Sequence, residues 1–205
     1  QTNLLVEGFY TILDDVFALR DMDDAADGGK VKERYNGSGA TVRGFNVEGR
    51  AAFTRWFELQ AGVTLQQSRY KEPEFWSEDA EVPPVRRMFR TPDAYGYFTA
   101  SFKPVRNFTA DLSGTCTGSM LVQHMAGSGV AQDVAVSTPS FFDMNIRLSY
   151  DVRIYKEITM QLYGGVQNLF NAYQKDVDKG VDRDSGYIYG PSLPRSWFVG
   201  AKFSF

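Results

Sequence analysis

The chain has 205 residues, a net charge of −3 and one cysteine, Cys116. That balance excludes a general attraction to nucleic acid, and a single cysteine excludes a disulfide framework and a thiolate metal cluster. No run of about 18 apolar residues occurs, so no transmembrane helix is expected, and no signal peptide is expected ahead of the strand-like run that opens at Gln1.

A mean hydropathy of −0.33 ordinarily describes a soluble protein. Membrane β-barrels are the exception, because a polar residue follows nearly every apolar one and the average cancels. A period of two is the signal to look for. It is weak over 3–13 and 43–53. It is strong over 57–66, where Phe57, Leu59, Ala61, Val63 and Leu65 oppose Glu58, Gln60, Gly62, Thr64 and Gln66. A weaker row follows at 94–102. The run 108–123 alternates throughout and reads as one strand, long enough to extend past a bilayer, with Cys116 on its apolar row as a buried or lipid-facing thiol. Over 142–152, Phe142, Met144, Ile146, Leu148, Tyr150 and Val152 alternate with polar residues, and 158–167 repeats the pattern. The last ten residues put Trp197, Val199, Ala201, Phe203 and Phe205 on one row, with Ser196, Gly200, Lys202 and Ser204 on the other. Eight strands are therefore expected.

A strand of about 10 residues rising roughly 3.3 Å each, tilted about 40°, spans roughly 25 Å, the height of an outer-membrane apolar band. The connections sort by length. Short ones fall near 54–56, 103–107 and 153–157, and long polar ones near 20–39, 71–93, 126–139 and 171–195, in strict alternation. Tight turns on one rim and large loops on the other mark a membrane barrel. Phe53, Trp56, Phe57, Phe102, Phe108, Tyr150 and Tyr155 gather near the short turns, as an interfacial girdle requires. The opposite row carries Glu48, Arg50, Asp111, Asp143, Arg147 and Lys202, too polar for a second core. The fold class is thus all-β, an antiparallel transmembrane β-barrel wall. The last connection is long and so external, which puts Phe205 on the periplasmic side.

Residues 164–205 carry Asn168-Leu169-Phe170-Asn171 at the close of a strand, then Tyr189-Gly190-Pro191 and Leu193-Pro194-Arg195, then the terminal Phe205. Together these resemble the C-terminal end of TonB-dependent outer-membrane receptors. Residues 4–19 resemble a receptor strand entering an extracellular loop, and the wording of 182–196 is similar to Bacteroidetes-type members. The resemblance implies a barrel of about 22 strands, with a plug domain and an energy-coupling box ahead of it, so that residues 1–205 would be the C-terminal third. It implies that the TonB complex acts through the missing N-terminal region, and that the barrel-assembly machinery reads Trp197, Val199, Ala201, Phe203 and Phe205. A complete eight-stranded barrel, a porin or adhesin, is the alternative.

The implied function is uptake of a scarce nutrient, with no covalent chemistry. "GPSLPR" stands where glycan receptors of the family carry a "YPxPR"-type ending, which favours an iron-siderophore, haem or cobalamin over an oligosaccharide. Ligand contacts are expected on the outer loops. Phe75 and Trp76 would stack, and Arg86, Arg87 and Arg90 would meet an anion, or else contact lipopolysaccharide or one another. Tyr187 and Tyr189 would face substrate or serve an aromatic belt. His124, the only histidine, is expected as an interfacial or loop contact rather than a haem ligand, and no G-x-S-x-G motif accompanies it for an enzyme. Two acidic clusters are weak calcium candidates: Asp14, Asp15, Asp21, Asp23, Asp24 and Asp27, and Asp176, Asp178, Asp182 and Asp184. The second fails an EF-hand match because Val181 stands where glycine is needed. No resident cofactor is expected.

Overall fold

A computed structural model describes residues 1–22, 31–191 and 193–205. In chain order the strands are β1 (Thr2–Leu13), β2 (Phe17–Met22), β3 (Val31–Asn36), β4 (Ala40–Thr54), β5 (Phe57–Glu74), β6 (Val85–Arg87) and β7 (Ala94–Val105), followed by β8 (Phe108–Thr117), β9 (Leu121–His124), β10 (Val134–Ser137), β11 (Phe141–Tyr155), β12 (Ile158–Gln167) and β13 (Ser196–Ser204). No helix occurs among the described residues. The main sheet runs β1-β4-β5-β7-β8-β11-β12-β13, each neighbour antiparallel, with β6 added to β5. All eight expected strands are present, in the expected order.

The pairing register explains the alternation. Ala51, Leu59, Ala100, Leu112, Ile146, Val166 and Trp197 lie opposite one another in turn across seven strands. One step along, Gly49, Ala61, Phe98, Gly114, Met144 do the same, and Leu4 of β1 joins through Gly49. Because side chains alternate sides with period two, every apolar row falls on one face of the sheet. That face is uncovered: Trp197 is 77% and Val199 89% exposed. The opposite face carries a hydrogen-bonded polar ladder. Gln60 donates to Glu48 at 3.0 Å, Ser101 to Asp111 at 2.6 Å and Gln161 to Asp151 at 2.9 Å. Arg147 lies over the Tyr163 ring at 4.6 Å. A one-residue slip in any strand would put charge among the apolar rows, so the pattern holds the register.

Hairpin turns at Arg55-Trp56, Arg106-Asn107 and Lys156-Glu157 close one rim, each beside a register shift. Lys156 takes the left-handed conformation, and its carbonyl accepts Arg153 Nε at 2.6 Å. Beside these turns Phe53 stacks on Phe57 at 5.5 Å and Phe57 on Phe102 at 4.7 Å. All long connections leave the other rim.

One expectation needs correction. The run 108–123 is not one strand. It ends at Thr117, because β7 begins only after Pro92 and β11 only after Pro139, so residues beyond have no ladder to join. Leu121–His124 instead pairs with β10 inside the loop. The sheet is open, as a barrel wall and unlike the alternative of a closed barrel: among the described residues β1 pairs only with β4 and β13 only with β12. A complete eight-stranded barrel would have joined them. A smaller departure is that β5 extends to Glu74, matched against β4 as far as Tyr70↔Ala40, and that β2 and β3 form a hairpin within the first loop.

Candidate functional site

A single-layer wall leaves little to bury, and the closest packing lies in the long loops instead. Val122 is fully buried, and Trp76, His124, Gln174, Asp178 and Tyr187 are buried with it. Three connections supply these residues: 75–93, 118–140 and 168–195.

The last connection is shaped at its start by the Asn168-Leu169-Phe170-Asn171 stretch. Asn168 and Asn171 both have positive φ, at 50° and 53°, a conformation that asparagine tolerates far better than most residues. The buried Asn168 amide donates to the carbonyls of Ala172 at 2.8 Å and Leu193 at 2.9 Å, and its oxygen accepts Ala172 N–H at 2.8 Å. Asn171 accepts Arg195 N–H at 2.9 Å. The two asparagines thus turn the chain out of β12 and fasten both ends of the loop.

The loop then folds onto β9. Asp178 places both carboxylate oxygens at 3.0 and 3.1 Å from His124 Nε2, which therefore carries the proton and donates. The imidazole stacks on Tyr187 with centroids 3.6 Å apart and planes 6° off parallel. The Tyr187 hydroxyl donates to Asp176 at 2.8 Å, and Tyr189 donates to its other oxygen at 2.6 Å. Gln174 clasps the same strand of chain, donating to Tyr187 O at 3.0 Å and accepting Tyr189 N–H at 2.9 Å. Asp184 accepts from Met125 N at 2.8 Å, and Ser77 donates to Asp133 at 2.7 Å, which ties the second loop to the third.

The electrostatics follow from these bonds. The His124 hydrogen bond holds Asp178 below the usual aspartate range against the opposing effect of burial. Burial pushes Asp176 up, but the hydroxyls of Tyr189 and Tyr187 more than offset it, and the group ends below its ordinary value. Burial, with Asp176 beside it, pushes Tyr189 up to about 12 and Tyr187 higher still. At neutral pH both tyrosines are neutral donors and both aspartates are charged acceptors.

Several of the side chains expected on the outer loops also bond within this cap. Arg90 bonds the carbonyls of Ile188, at 2.9 Å, and Gly186. Arg87 bonds Ser119 O at 2.7 Å and pairs with Asp93 at 3.0 Å. Trp76 meets Phe89 edge-on at 5.4 Å. Phe75, 70% exposed, and Arg86 remain on the surface. An open groove of about 530 Å³ lies on the last loop, lined by Tyr173, Val177, Ile188, Pro191 and Pro194 among others. Among the described residues several carboxylates of the acidic clusters have other partners. Asp14 pairs with Lys71, and Asp176, Asp178 and Asp184 are engaged as above. No group of three or more His, Cys, Asp or Glu residues is placed to hold a metal ion among the described residues. Asp23, Asp24 and Asp27, and the side chain of Asp21, lie outside what the structure describes. Sequence reasoning missed Gln174 and Asp133; their polarity in turn-rich segments is the ordinary loop signal and pointed nowhere.

No protein-family model matches the sequence, and no curated protein does. Solved structures match throughout. The ferric-catecholate import receptor Fiu from K12 E. coli is 19% identical, covering 98% of this chain and 25% of its own, with a TM-score of 0.63. The copper transporter OprC is 14% identical over 100% of this chain and 29% of its own, TM-score 0.65. The siderophore receptor PirA from Acinetobacter baumannii is 16% identical over 100% and 30%, TM-score 0.55. The likeness is one of fold, and it bears out the barrel-wall architecture expected from the alternation and the terminal motif. This chain spans only 25% to 30% of the length of these three proteins.

Proposed function

We propose that the chain is the C-terminal wall and outer-loop region of a TonB-dependent outer-membrane receptor that imports a scarce nutrient. The observation that carries this reading is the uncovered apolar face, kept in register across eight strands of a sheet whose two edges are both bare. Bare edges are forbidden in hydrocarbon, so such a wall requires further strands to close it. A plug inside the closed barrel and the TonB complex beneath it would then supply the moving parts. The loop rim faces outward and Phe205 faces the periplasm, where the barrel-assembly machinery reads the terminal row.

The cargo is an iron-siderophore, haem or cobalamin rather than a glycan. Support for an iron or metal cargo comes from the import receptors that share the fold, and the outward Phe75 and Arg86 suit an aromatic, anionic chelate. Transport, not catalysis, is the role, in keeping with the import receptors that share the fold. A deletion strain tests the reading on media with single iron or corrinoid sources. Loss of growth on one of them is the expected result. Normal growth on all of them, with one polysaccharide no longer used, would reverse the cargo assignment.

A further inference from the structure

A cavity of about 210 Å³ lies between the base of the β2–β3 hairpin, the extension of β5 and the second and third long loops. Tyr70, on that extension, is matched with Ala40, five residues beyond the outermost apolar pair, Phe45↔Leu65. By period two Tyr70 shares the face of Gln60, whose amide belongs to the polar ladder, so the cavity stands on the lumen side of the wall at the level of the loops. Its lining is largely aromatic, from Phe17, Tyr70, Trp76 and Phe89, with Glu74 and Gln123 among its polar groups. Two of these residues have bonding capacity to spare. Trp76 is 8% exposed, and its indole N–H has no partner. Glu74 is half-buried, accepts the Tyr35 hydroxyl at 2.8 Å and pairs with no cation among the described residues, although a carboxylate can accept several bonds.

We propose that this cavity takes the protonated amine arm of the imported molecule. The ammonium group sits against Glu74 and the aromatic rings, and a carbonyl or hydroxyl on the arm accepts from Trp76 Nε1. A carboxylate walled by aromatic rings attracts an organic cation, because the ring faces are negative and little water competes. A buried donor without an acceptor is destabilising, which favours an arm that also brings an acceptor. The volume is below the roughly 300–1,000 Å³ that holds a whole small molecule, so an arm enters and the bulk of the cargo stays outside. The proposal rests on the receptor reading and narrows its cargo to an iron chelate with an aliphatic amine tail. Haem presents carboxylates at its edge, and Glu74 repels those. A chelate anionic at its metal end and cationic at its tail suits both the surface Arg86 and the enclosed Glu74.

The test uses the full-length protein in detergent, labelled with fluorotryptophan, with the Trp76 fluorine resonance identified by its loss in Trp76→Phe. Three probes of equal length are titrated at neutral pH: pentylamine, which is protonated there, pentanol and pentanoate. Pentylamine should shift the resonance and half-saturate at a concentration at least about tenfold below pentanol, the difference that a cation–π contact with a charge partner supplies. Pentanoate should leave the resonance in place. Glu74→Gln, which keeps an acceptor for Tyr35, should bring pentylamine to the pentanol value and leave pentanol unchanged. Glu81→Gln, an exposed acid of the same loop, should alter neither. The ferric complex of a linear trihydroxamate ending in a pentylamine should shift the same resonance, and its N-acetylated form should not. Equal binding of pentanol and pentylamine, or pentylamine binding untouched by Glu74→Gln, overturns the site. So does pentylamine binding without any response to the amine-ended chelate, which makes the ligand a free amine. Any of these failures, with growth of the deletion strain still lost on one iron source, leaves the receptor reading standing. Normal growth on every iron and corrinoid source overturns that reading and the cargo assignment with it.

Discussion

At the scale of single residues, the loop cap depends on a few polar side chains whose partners are far away in sequence. His124 and Asp178 are 54 residues apart, and Arg90 and Ile188 are 98 apart. No local pattern announces such pairs, which is why the partners that hold Trp76, Arg87, Arg90, Tyr187 and Tyr189 in the loops were not legible in the sequence. The terminal motif was legible for the opposite reason. Asn168 and Asn171 act on their own neighbourhood, through positive φ and short-range bonds, so their chemistry is written in adjacent letters. The clearest residue-level prediction concerns Tyr189, whose pKa is raised by burial first and by Asp176 second. A pKa raised on folding stabilises fully below the ordinary tyrosine value of about 10 and the effect is lost as pH rises through the folded value. Ultraviolet difference titration of wild type against Tyr189→Phe should therefore show a midpoint near 12, with the loop loosening between about 10 and 12. A midpoint near 10 would show that Asp176 does not hold this hydroxyl.

At the scale of strands, period two located every member of the wall because its two faces meet different surroundings. Where both neighbouring strands end, as beyond Thr117, alternation persists in the letters without a ladder to express it. Strands also interlock through glycine. A Cβ at Gly200 of β13 would lie 2.5 Å from the Tyr163 ring of β12, directly opposite it, and that ring is in turn covered by Arg147 of β11. Gly200→Val should destabilise the β12–β13 pair by about 1–3 kcal/mol, the usual cost of overpacking. The barrel's unfolding temperature in detergent reports the loss. Tyr163→Ala in the same chain should restore much of it, and a purely additive double variant would show that the ring and the glycine are not coupled.

At the scale of the whole molecule, the fold is a sheet with two open ends rather than a body with a centre. The described residues bury only six hydrophobic side chains, and half of them lie in the loops. Residues 1–205 expressed alone should therefore fail to give a heat-resistant, monomeric membrane barrel. A monomeric, protease-resistant barrel formed from these residues alone would contradict the open register of β1 and β13.

The bare rims of β1 and β13 imply a particular kind of cooperativity. In a ring held by main-chain bonds, no segment gains its last row of partners until the seam shuts, so stability arrives with closure rather than strand by strand. On the proposed barrel reading, weakness anywhere around the circumference would be shared by the seam, and the greasy stretch from Trp197 to Phe203, paired here with β12 alone, would have its second row of partners to gain on closure.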